Sequence, residues 1–318
     1  MSYCYDTHFQ NIKAKKEDIK DVSINIYIRN IKKIFKELFE TDNPDTSLFK
    51  DHTIVCEYLD KMKSEASKKT MCVSIVVFLK SCKRFPEKTR KIYSEKLMDI
   101  ATCQNKEYLK NQKSKKEEKS WVSSDDIQKI ISGLEERIKT SGSLTERQIL
   151  DLNQRYVVIK LYTILPPVRN DYAFTKIIRK PKEPEKETDN YFNLKTKKLV
   201  LKKYKTHKFY GDKTIDIPDE LVKIIDDYEK LKSKTYGDKI QHDYLLINTT
   251  SLTPMSRCSI TKYMNKIFSP KKVSTTILRK VYLSNKYPIQ HSMKEMEDDA
   301  DIMGHDIMTA RKIYTKIL

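Results

Sequence analysis

The sequence predicts a two-domain protein that is mainly α-helical and carries one small antiparallel β-sheet in its second domain. Its 318 residues exceed the roughly 100–200 that one domain usually holds. A stretch from 105 to 120, almost wholly charged or polar, separates two parts with apolar patterning. Helical spacing dominates the first part, whereas short alternating segments stand between helical patterns in the second. We therefore place a helical domain at 1–104, a charged linker at 105–120 and an α+β domain at 121–318.

Four helices are predicted in the first domain. An apolar stripe over 24–39 marks the first helix, and Pro44 lies in the break that follows it. The other three are predicted over 52–62, 67–82 and from 87 towards 108. The third helix is apolar almost all round, as expected of the central helix of a bundle. Short connections between four helices predict a compact all-α domain.

The second domain is predicted to begin with a helix capped by Ser123, because Asp126 lies at the spacing of a capping box. A long buried helix follows over 147–165 and ends at two prolines. Short strands are predicted at 174–178, 191–192, 199–204, 214–217 and 244–247. The third and fourth of these flank a loop with Gly211 and form a hairpin. Helices from 218 to 231 and from 259 to the C-terminus complete a mainly helical domain with one sheet.

The charge of the chain restricts its function. Lys and Arg number 63 against 44 Asp and Glu, a net charge of +19. Within the second domain the signs are segregated, because 191–210 holds seven lysines and no acid, and 244–294 holds nine Lys or Arg and no acid. Such segregation favours a surface for a polyanion such as nucleic acid over a uniform bias in composition.

Other classes of protein are disfavoured. No apolar run approaches the roughly 18–20 residues that a membrane span requires, and residues 1–10 are polar. The six cysteines are scattered and have no metal-type spacing. The sequence therefore predicts an intracellular protein with reduced thiols and no membrane partner.

Five residues of the second domain form an ordered set. In chain order they are Arg169, Lys205, Arg279, His305 and Tyr314. Arg169 follows the buried helix and its two prolines, and Lys205 lies at the tip of the predicted hairpin. Arg279 lies on a helix in the acid-free stretch, and His305 follows a glycine and precedes Tyr314 by nine residues. Any one of them alone is most simply a surface cation or a packed core residue.

Their order and spacing resemble the signature of the tyrosine recombinase, or phage-integrase, family. The segment 161–172 resembles the family's helix-turn-Arg element, and 303–315 resembles its Leu-Gly-His…Tyr-Thr element. The order of a helical core-binding domain, a charged linker and a mixed catalytic domain is similar over the whole chain. The resemblance implies an enzyme that breaks and rejoins duplex DNA without a metal or other cofactor.

The resemblance also implies a role for each residue. Arg169 and Arg279 clamp the non-bridging oxygens of a phosphodiester and stabilise its pentacovalent transition state. Tyr314 is the nucleophile and forms a 3′-phosphotyrosyl link. Lys205 protonates the departing 5′ oxygen as general acid, and His305 hydrogen-bonds the phosphate and helps the proton leave Tyr314.

Two positions depart from the family's pattern. Thr276 stands three residues before Arg279, where the family commonly has a histidine, and its hydroxyl can donate to a phosphate oxygen. Tyr172 stands three residues after Arg169, where the family often has an acid, and Asp171 is the possible substitute. Both positions leave open a catalytically silent DNA-binding protein of the same fold.

Partners and alternatives follow from the same reasoning. We expect duplex DNA and self-association on it as a dimer or tetramer, with phosphate contacts from Lys202, Lys203, Lys208, Lys271 and Lys272. Type IB topoisomerases and telomere-resolving enzymes share the chemistry, and the helical first domain favours the recombinase. The composition, rich in Lys, Ile and Asn, resembles that of large DNA viruses and their mobile elements. A viral protein would act in the host nucleus or at the viral replication site.

Overall fold

The computed structural model describes residues 5–15, 19–82, 85–179, 188–287 and 293–316. The chain divides into two compact units, Met1–Lys110 and Asn111–Leu318. Each unit has a buried apolar core of its own. No helix within these described ranges is long and apolar enough to cross a membrane.

The first unit is entirely helical in the described ranges. Its helices are α1 (Tyr5–Lys15), α2 (Asp21–Leu38), α3 (His52–Asp60), α4 (Glu65–Ser81) and α5 (Glu87–Leu109), with a 3₁₀ turn at Thr46–Lys50. The four predicted helices are confirmed as α2 to α5. The count of four was wrong, because α1 also forms. The sequence of α1 has no clear apolar stripe, because only two of its residues, His8 and Ile12, are buried. Its helical spacing was therefore not visible in the sequence.

Aromatic packing fills the centre of the first unit. Phe35 and Phe49 meet edge to face with ring centroids 5.5 Å apart, and both rings are fully buried. Tyr93 packs against Phe49, and its hydroxyl donates to the Phe49 carbonyl at 2.8 Å. Each fully buried side chain of this kind contributes about 1.5–3 kcal/mol, so the aromatic cluster is a main source of this unit's stability.

The second unit is mainly helical around one sheet. Its first three helices are α6 (Lys115–Ser120), α7 (Ser124–Lys139) and α8 (Glu146–Ile164). Each begins at a capping box, and the box predicted at Ser123 is confirmed. The later helices are α9 (His207–Tyr210), α10 (Asp219–Tyr236), α11 (Arg257–Ile267), α12 (Thr275–Lys286), α13 (Met293–Ile302) and α14 (Ile307–Thr309). A π-helical turn, Ala310–Tyr314, continues α14.

The sheet has four strands in the order β1-β2-β3-β4. They are β1 (Lys176–Ile178), β2 (Tyr191–Asn193), β3 (Lys198–Leu201) and β4 (Lys213–Asp216). The predicted hairpin is confirmed, because β3 and β4 pair antiparallel with Leu199 opposite Ile215.

The prediction of a purely antiparallel sheet was wrong, because β1 and β2 are parallel. A parallel pair needs a connection of about a dozen residues or more, and twelve residues of the sequence separate these two strands. The fifth predicted strand, 244–247, contributes only isolated bridges of Tyr244 with Lys176 and of Ile247 with Pro254.

The charged stretch 105–120 holds the end of α5 and all of α6. The division between the two units falls inside it, after Lys110. Glu117 of α6 forms an ion pair with Lys280 of α12, which ties α6 to the second unit. The roles assigned to 1–104 and 121–318 as DNA-binding and catalytic domains stay predictions.

Gly304 provides a test of the fold where the sheet meets the C-terminal segment. Its φ is +71°, and a Cβ built on it would lie 2.6 Å from the Thr206 hydroxyl oxygen. We expect Gly304→Ala to lower the free energy of unfolding by about 1–3 kcal/mol, through backbone strain and this close approach. Urea unfolding followed by circular dichroism measures the change.

The matched control is Gly133→Ala within α7, where a Cβ meets nothing within 4 Å. This change should raise the free energy of unfolding by about 0.5–1 kcal/mol, because alanine loses less entropy in a helix. Destabilisation of equal size by both changes would contradict the close packing inferred at Gly304.

Candidate active site

Four of the predicted residues meet in the second unit. Arg279 lies on α12, His305 follows α13, Tyr314 ends the π-helical turn, and Arg169 lies just after α8. Arg279 is 1% exposed, and His305 and Tyr314 are also buried. Arg169 is half-buried and is the member of the group nearest to solvent.

Arg279 joins the other members. Its Nη1 donates to the Tyr314 hydroxyl at 2.9 Å, and its Nη2 donates to the Met303 carbonyl at 2.9 Å. Nη1 of Arg169 approaches the same carbonyl at 3.5 Å. The two guanidiniums thus converge on one oxygen, and the phenol oxygen of Tyr314 lies beside them.

The electrostatics of this group favour an anionic ligand. Burial and the nearby charge of Arg169 lower the pKa of Arg279 to about 10, so Arg279 still carries its charge at neutral pH. Among the described residues, neither guanidinium forms an ion pair with a carboxylate, and Nε of Arg279 is buried without a partner. Two guanidiniums held by neutral oxygens leave an excess of positive charge that a phosphate can offset.

His305 lies flat against Tyr314. The ring centroids are 4.8 Å apart and the planes differ by 10°. Burial, followed by the charges of Arg279 and Arg169, lowers the pKa of His305 to about 4, so the imidazole is neutral at pH 7. Its Nδ1 faces the Asp306 carbonyl at 3.3 Å, and its Nε2 is buried with no partner among the described residues. A proton on Nδ1 leaves Nε2 free to accept one.

Packing against the core positions Arg169. The Tyr162 hydroxyl donates to the Arg169 carbonyl at 2.9 Å. Tyr172 is fully buried, stacks on Phe192 with centroids 6.3 Å apart, and donates to the Leu161 carbonyl. Tyr172 is therefore a core residue that holds the turn after α8 in place.

Asp171, the possible substitute for an acid at this turn, is also buried. Burial raises its pKa, although the charges of Arg257, Arg169 and Arg279 act in the opposite direction. Its carboxylate accepts from Nη2 of Arg257 at 3.2 Å. Asp171 thus balances part of the positive charge of the site from one side.

Lys205 lies in the turn between β3 and α9 and is exposed. Its ammonium group contacts no described residue, whereas the residues on either side contact Gly304. The Thr206 hydroxyl donates to the Gly304 carbonyl at 2.9 Å, and the Tyr204 ring lies 3.4 Å from a Cβ built on Gly304. The turn that carries Lys205 therefore packs against the residue preceding His305.

Thr276 is not brought into the group. It is exposed in the first turn of α12 and has no hydrogen bond within the described part of the chain. The buried neighbour Thr275 donates instead to the Asn170 side chain at 2.9 Å. A role for Thr276 towards a phosphate stays a prediction.

The predicted DNA-contacting lysines lie outside the buried group. Lys203 pairs with Asp189 at 2.7 Å, and Lys271 pairs with Asp126 at 2.9 Å. Lys208 and Lys272 are exposed, and Lys202 is half-buried. Their contact with DNA stays a prediction, and the ion pairs reduce the charge available from two of them.

Sequence analysis did not single out Asn190 or Arg257. Asn190 is 2% exposed and hydrogen-bonds backbone groups on both sides of the site, as described below. Arg257 was counted in the acid-free stretch but had no motif around it. The sequence shows Asn190 only as a polar residue between two predicted strands. That position is equally typical of an exposed loop residue, so the sequence did not indicate that Asn190 is buried.

Comparison with known proteins finds similarity to solved structures. No protein-family model matches the sequence, and no curated protein matches it. Among solved structures, the chain is similar to one described as the crystal structure of XerA recombinase, with a TM-score of 0.43 and 14% identity. The alignment covers 98% of this chain and 94% of that one.

The depressed pKa of His305 predicts a pH-dependent stability. Between pH 6.5, the ordinary value, and pH 4 the unfolded chain binds a proton that the folded protein does not. The free energy of unfolding therefore rises with pH through this window, by about 3 kcal/mol from this residue. His305→Gln should flatten this part of the pH dependence, measured by urea unfolding at pH 4.5 and pH 7.

The comparison has an internal control. Above pH 7 the imidazole is neutral in both states, so the stability curves of the two proteins should run parallel there. Curves that stay parallel down to pH 4.5 would show that His305 titrates normally and is not buried as described.

Proposed function

We propose that this protein is a site-specific DNA recombinase, or integrase, that cuts and rejoins duplex DNA through a phosphotyrosyl intermediate. The observation that carries the proposal is the hydrogen bond of 2.9 Å from buried Arg279 to the hydroxyl of Tyr314. Arg169 and Arg279 also converge on one oxygen, the Met303 carbonyl. The Tyr314 ring packs in an apolar cluster, while its hydroxyl lies against the Arg279 guanidinium, where a bound phosphate would be attacked.

The arginines supply the electrostatic part of the reaction. A phosphodiester resists attack because it is anionic, and its transition state carries more charge on the non-bridging oxygens. Guanidiniums bind such oxygens bidentately and stay charged when buried. We assign Arg169 and Arg279 to this role, in which they stabilise the pentacovalent phosphorus.

Tyr314 and His305 supply the nucleophile. The Tyr314 oxygen forms a bond to phosphorus, and the bond from phosphorus to the 5′ oxygen breaks. The phenol proton passes to Nε2 of His305 or to water, and the neutral imidazole at pH 7 suits this transfer. The two rings are stacked, and the proposal includes a shift of the C-terminal turn that brings the hydroxyl and Nε2 into line.

Lys205 completes the proton balance. Its ammonium group donates a proton to the departing 5′ oxygen, which leaves as a hydroxyl, and it recovers that proton when the strand is rejoined. An exposed lysine in a turn next to Gly304 can reach a phosphate bound at the arginines. The covalent link conserves the energy of the broken bond, so rejoining needs no nucleotide cofactor.

The helical first unit supports a recombinase over a type IB topoisomerase, for which long β segments were expected. Residues 1–110 hold 22 basic and 16 acidic side chains, so this unit is also suited to binding DNA. The proposal also includes self-association on DNA, integration or excision as the outcome, and a viral or mobile-element origin.

Replacement of the nucleophile tests the proposal. Tyr314→Phe should abolish the covalent complex with a nicked suicide substrate and leave DNA affinity within about threefold, because only the hydroxyl is lost. Denaturing gels measure the complex, and mass spectrometry of the DNA-linked peptide identifies the residue. Because the target sequence is unknown, the substrate comes from a nicked library whose captured ends are sequenced.

Tyr282→Phe is the matched control, because Tyr282 packs in the same apolar cluster as Tyr314 and should leave linkage unchanged. A covalent complex formed by Tyr314→Phe would contradict the proposal. Linkage without sequence preference, together with relaxation of supercoiled plasmid, would favour the topoisomerase. Tight DNA binding with no linkage in the wild type would favour the silent DNA-binding protein.

DNA affinity should fall steeply with salt. Lysines that neutralise phosphates release counterions, so a protein with roughly 6–10 phosphate contacts loses about 10³–10⁵ in affinity between 50 and 200 mM salt. Lys272→Gln should lower the slope of log K against log salt by about one. Fluorescence anisotropy at several salt concentrations measures both.

Lys230→Gln is the control, since Lys230 is paired with Asp226 in a part of α10 rich in acids. It should leave affinity and slope unchanged. A flat salt response of the wild type would contradict the assignment of a phosphate-binding surface.

A further inference from the structure

We infer that Asn190 is a positioning residue that fixes the turn carrying Lys205 relative to the segment carrying Arg169, and that Arg257 assists it. This inference rests on the proposed function, in which Lys205 is the general acid. The key observation is a set of buried hydrogen bonds that join these two parts of the site.

Asn190 uses both ends of its amide. Its Nδ2 donates to the Asp171 carbonyl at 2.9 Å and to the Lys203 carbonyl at 3.1 Å. Its Oδ1 accepts from the backbone amides of Lys202 at 2.9 Å and of Lys203 at 2.7 Å. A buried amide whose donors and acceptor are all satisfied fixes the groups around it. Here it fixes the chain two residues before Lys205 to the chain two residues after Arg169.

Arg257 makes a second link between the same two segments. Its Nη2 donates to the Asp171 carboxylate at 3.2 Å and to the Lys203 carbonyl at 3.0 Å. Asp171 is buried, and its carboxylate has this arginine as its ion-pair partner. The Lys203 carbonyl therefore accepts hydrogen bonds from two side chains, that of buried Asn190 and that of half-exposed Arg257.

The other end of the turn is held separately. Thr206 donates to the Gly304 carbonyl at 2.9 Å, next to His305. The backbone on both sides of Lys205 is thus anchored, at Lys203 and at Thr206, whereas the lysine ammonium has no hydrogen bond or ion pair with a described residue. A general acid must lie within hydrogen-bond reach of the leaving oxygen, and a flexible lysine depends on its backbone for that.

A purely structural role is the competing explanation. The main chain of Asn190 pairs with Lys176, since the Lys176 amide donates to the Asn190 carbonyl at 2.8 Å, and this bond survives any side-chain change. A structural role predicts a defect that does not depend on the leaving group. A positioning role predicts a defect confined to proton donation.

The test compares two leaving groups. One suicide substrate has the normal 5′ oxygen at the scissile phosphate, and the other has sulfur at that bridging position. A thiolate leaves without receiving a proton, so the sulfur substrate does not need the general acid. Rates of covalent complex formation are measured on both substrates for the wild type and for Asn190→Ala, Arg257→Ala, Lys205→Ala and Arg279→Ala.

We expect Lys205→Ala to be slowed by about 10²–10⁴ on the oxygen substrate, the usual contribution of a general acid. Asn190→Ala should be slowed by about 10–10² and Arg257→Ala by up to about tenfold, because the lysine is retained but misplaced. All three should recover to within about threefold of the wild type on sulfur. Arg279→Ala should stay about 10²–10³ slower on both substrates, since it stabilises the phosphorus centre.

Asn193→Ala is the matched control. Asn193 is also a buried asparagine at the end of a strand, and its Oδ1 accepts from the amides of Lys195 and Thr196. Asn193 lies at the opposite end of β2. Relative to the wild type, Asn193→Ala should therefore change the rate by a similar factor on the oxygen and the sulfur substrates. The Arg257 side chain is 51% exposed, so Arg257→Ala should fold even if Asn190→Ala does not.

Two results would overturn the inference. Equal slowing of Asn190→Ala and Arg257→Ala on oxygen and sulfur would assign them a structural role. Unchanged rates on oxygen would show that neither positions the lysine. A third result, failure of the wild type to link to either substrate, would overturn the proposed function itself. It is distinguished from the other two because Lys205→Ala and Arg279→Ala would then give no covalent complex either.

Discussion

The site depends on one buried charge. The Arg279 guanidinium is 1% exposed, and its hydrogen bonds go to the Tyr314 hydroxyl and the Met303 carbonyl. Removing a guanidinium from water costs several kcal/mol unless its donors find partners. The helix α12, the end of α13 and the C-terminal turn must therefore assemble together, because each supplies one side of the same hydrogen-bonded group. The position of Tyr314 follows from the burial of Arg279.

The helix that carries Arg279 is anchored along its length. Lys280 pairs with Glu117 of α6, Ser284 accepts from the Lys316 amide at 2.7 Å, and Asn285 donates to Ser124 at 2.7 Å. Burial alone would raise the pKa of Glu117, but its bonds with Lys280 and Ser114 lower it to about 2, so the pair stays ionised. These contacts fix α12 against α6, α7 and the segment after Tyr314, and a fixed α12 is what holds the guanidinium in place.

Local signals in the sequence were enough for the strongly patterned elements and for the residues of the motif. The helices α2 and α8 were predicted closely because their buried residues recur at helical spacing. The parallel pairing of β1 with β2 was not predicted. It depends on the pairing of Lys176 with Tyr191, 15 residues later in the chain, and not on the pattern of either strand alone. Asn190 was missed for a related reason. Its contacts are with backbone groups that only the folded chain brings together.

The partners of the two arginines also determine how easily a phosphate could bind. A carboxylate would compete with it, because both form charge-assisted hydrogen bonds. Met303 offers a neutral carbonyl, and Tyr314 a neutral hydroxyl. A guanidinium attracts an anionic phosphate oxygen more strongly than a neutral carbonyl or hydroxyl, so a phosphate can compete for these donors. Asp171, on whose carboxyl both arginines act electrostatically, accepts from Arg257 instead. Both guanidiniums thus donate to neutral partners that a phosphate oxygen can replace, whereas the carboxylate of an ion pair would compete with the phosphate.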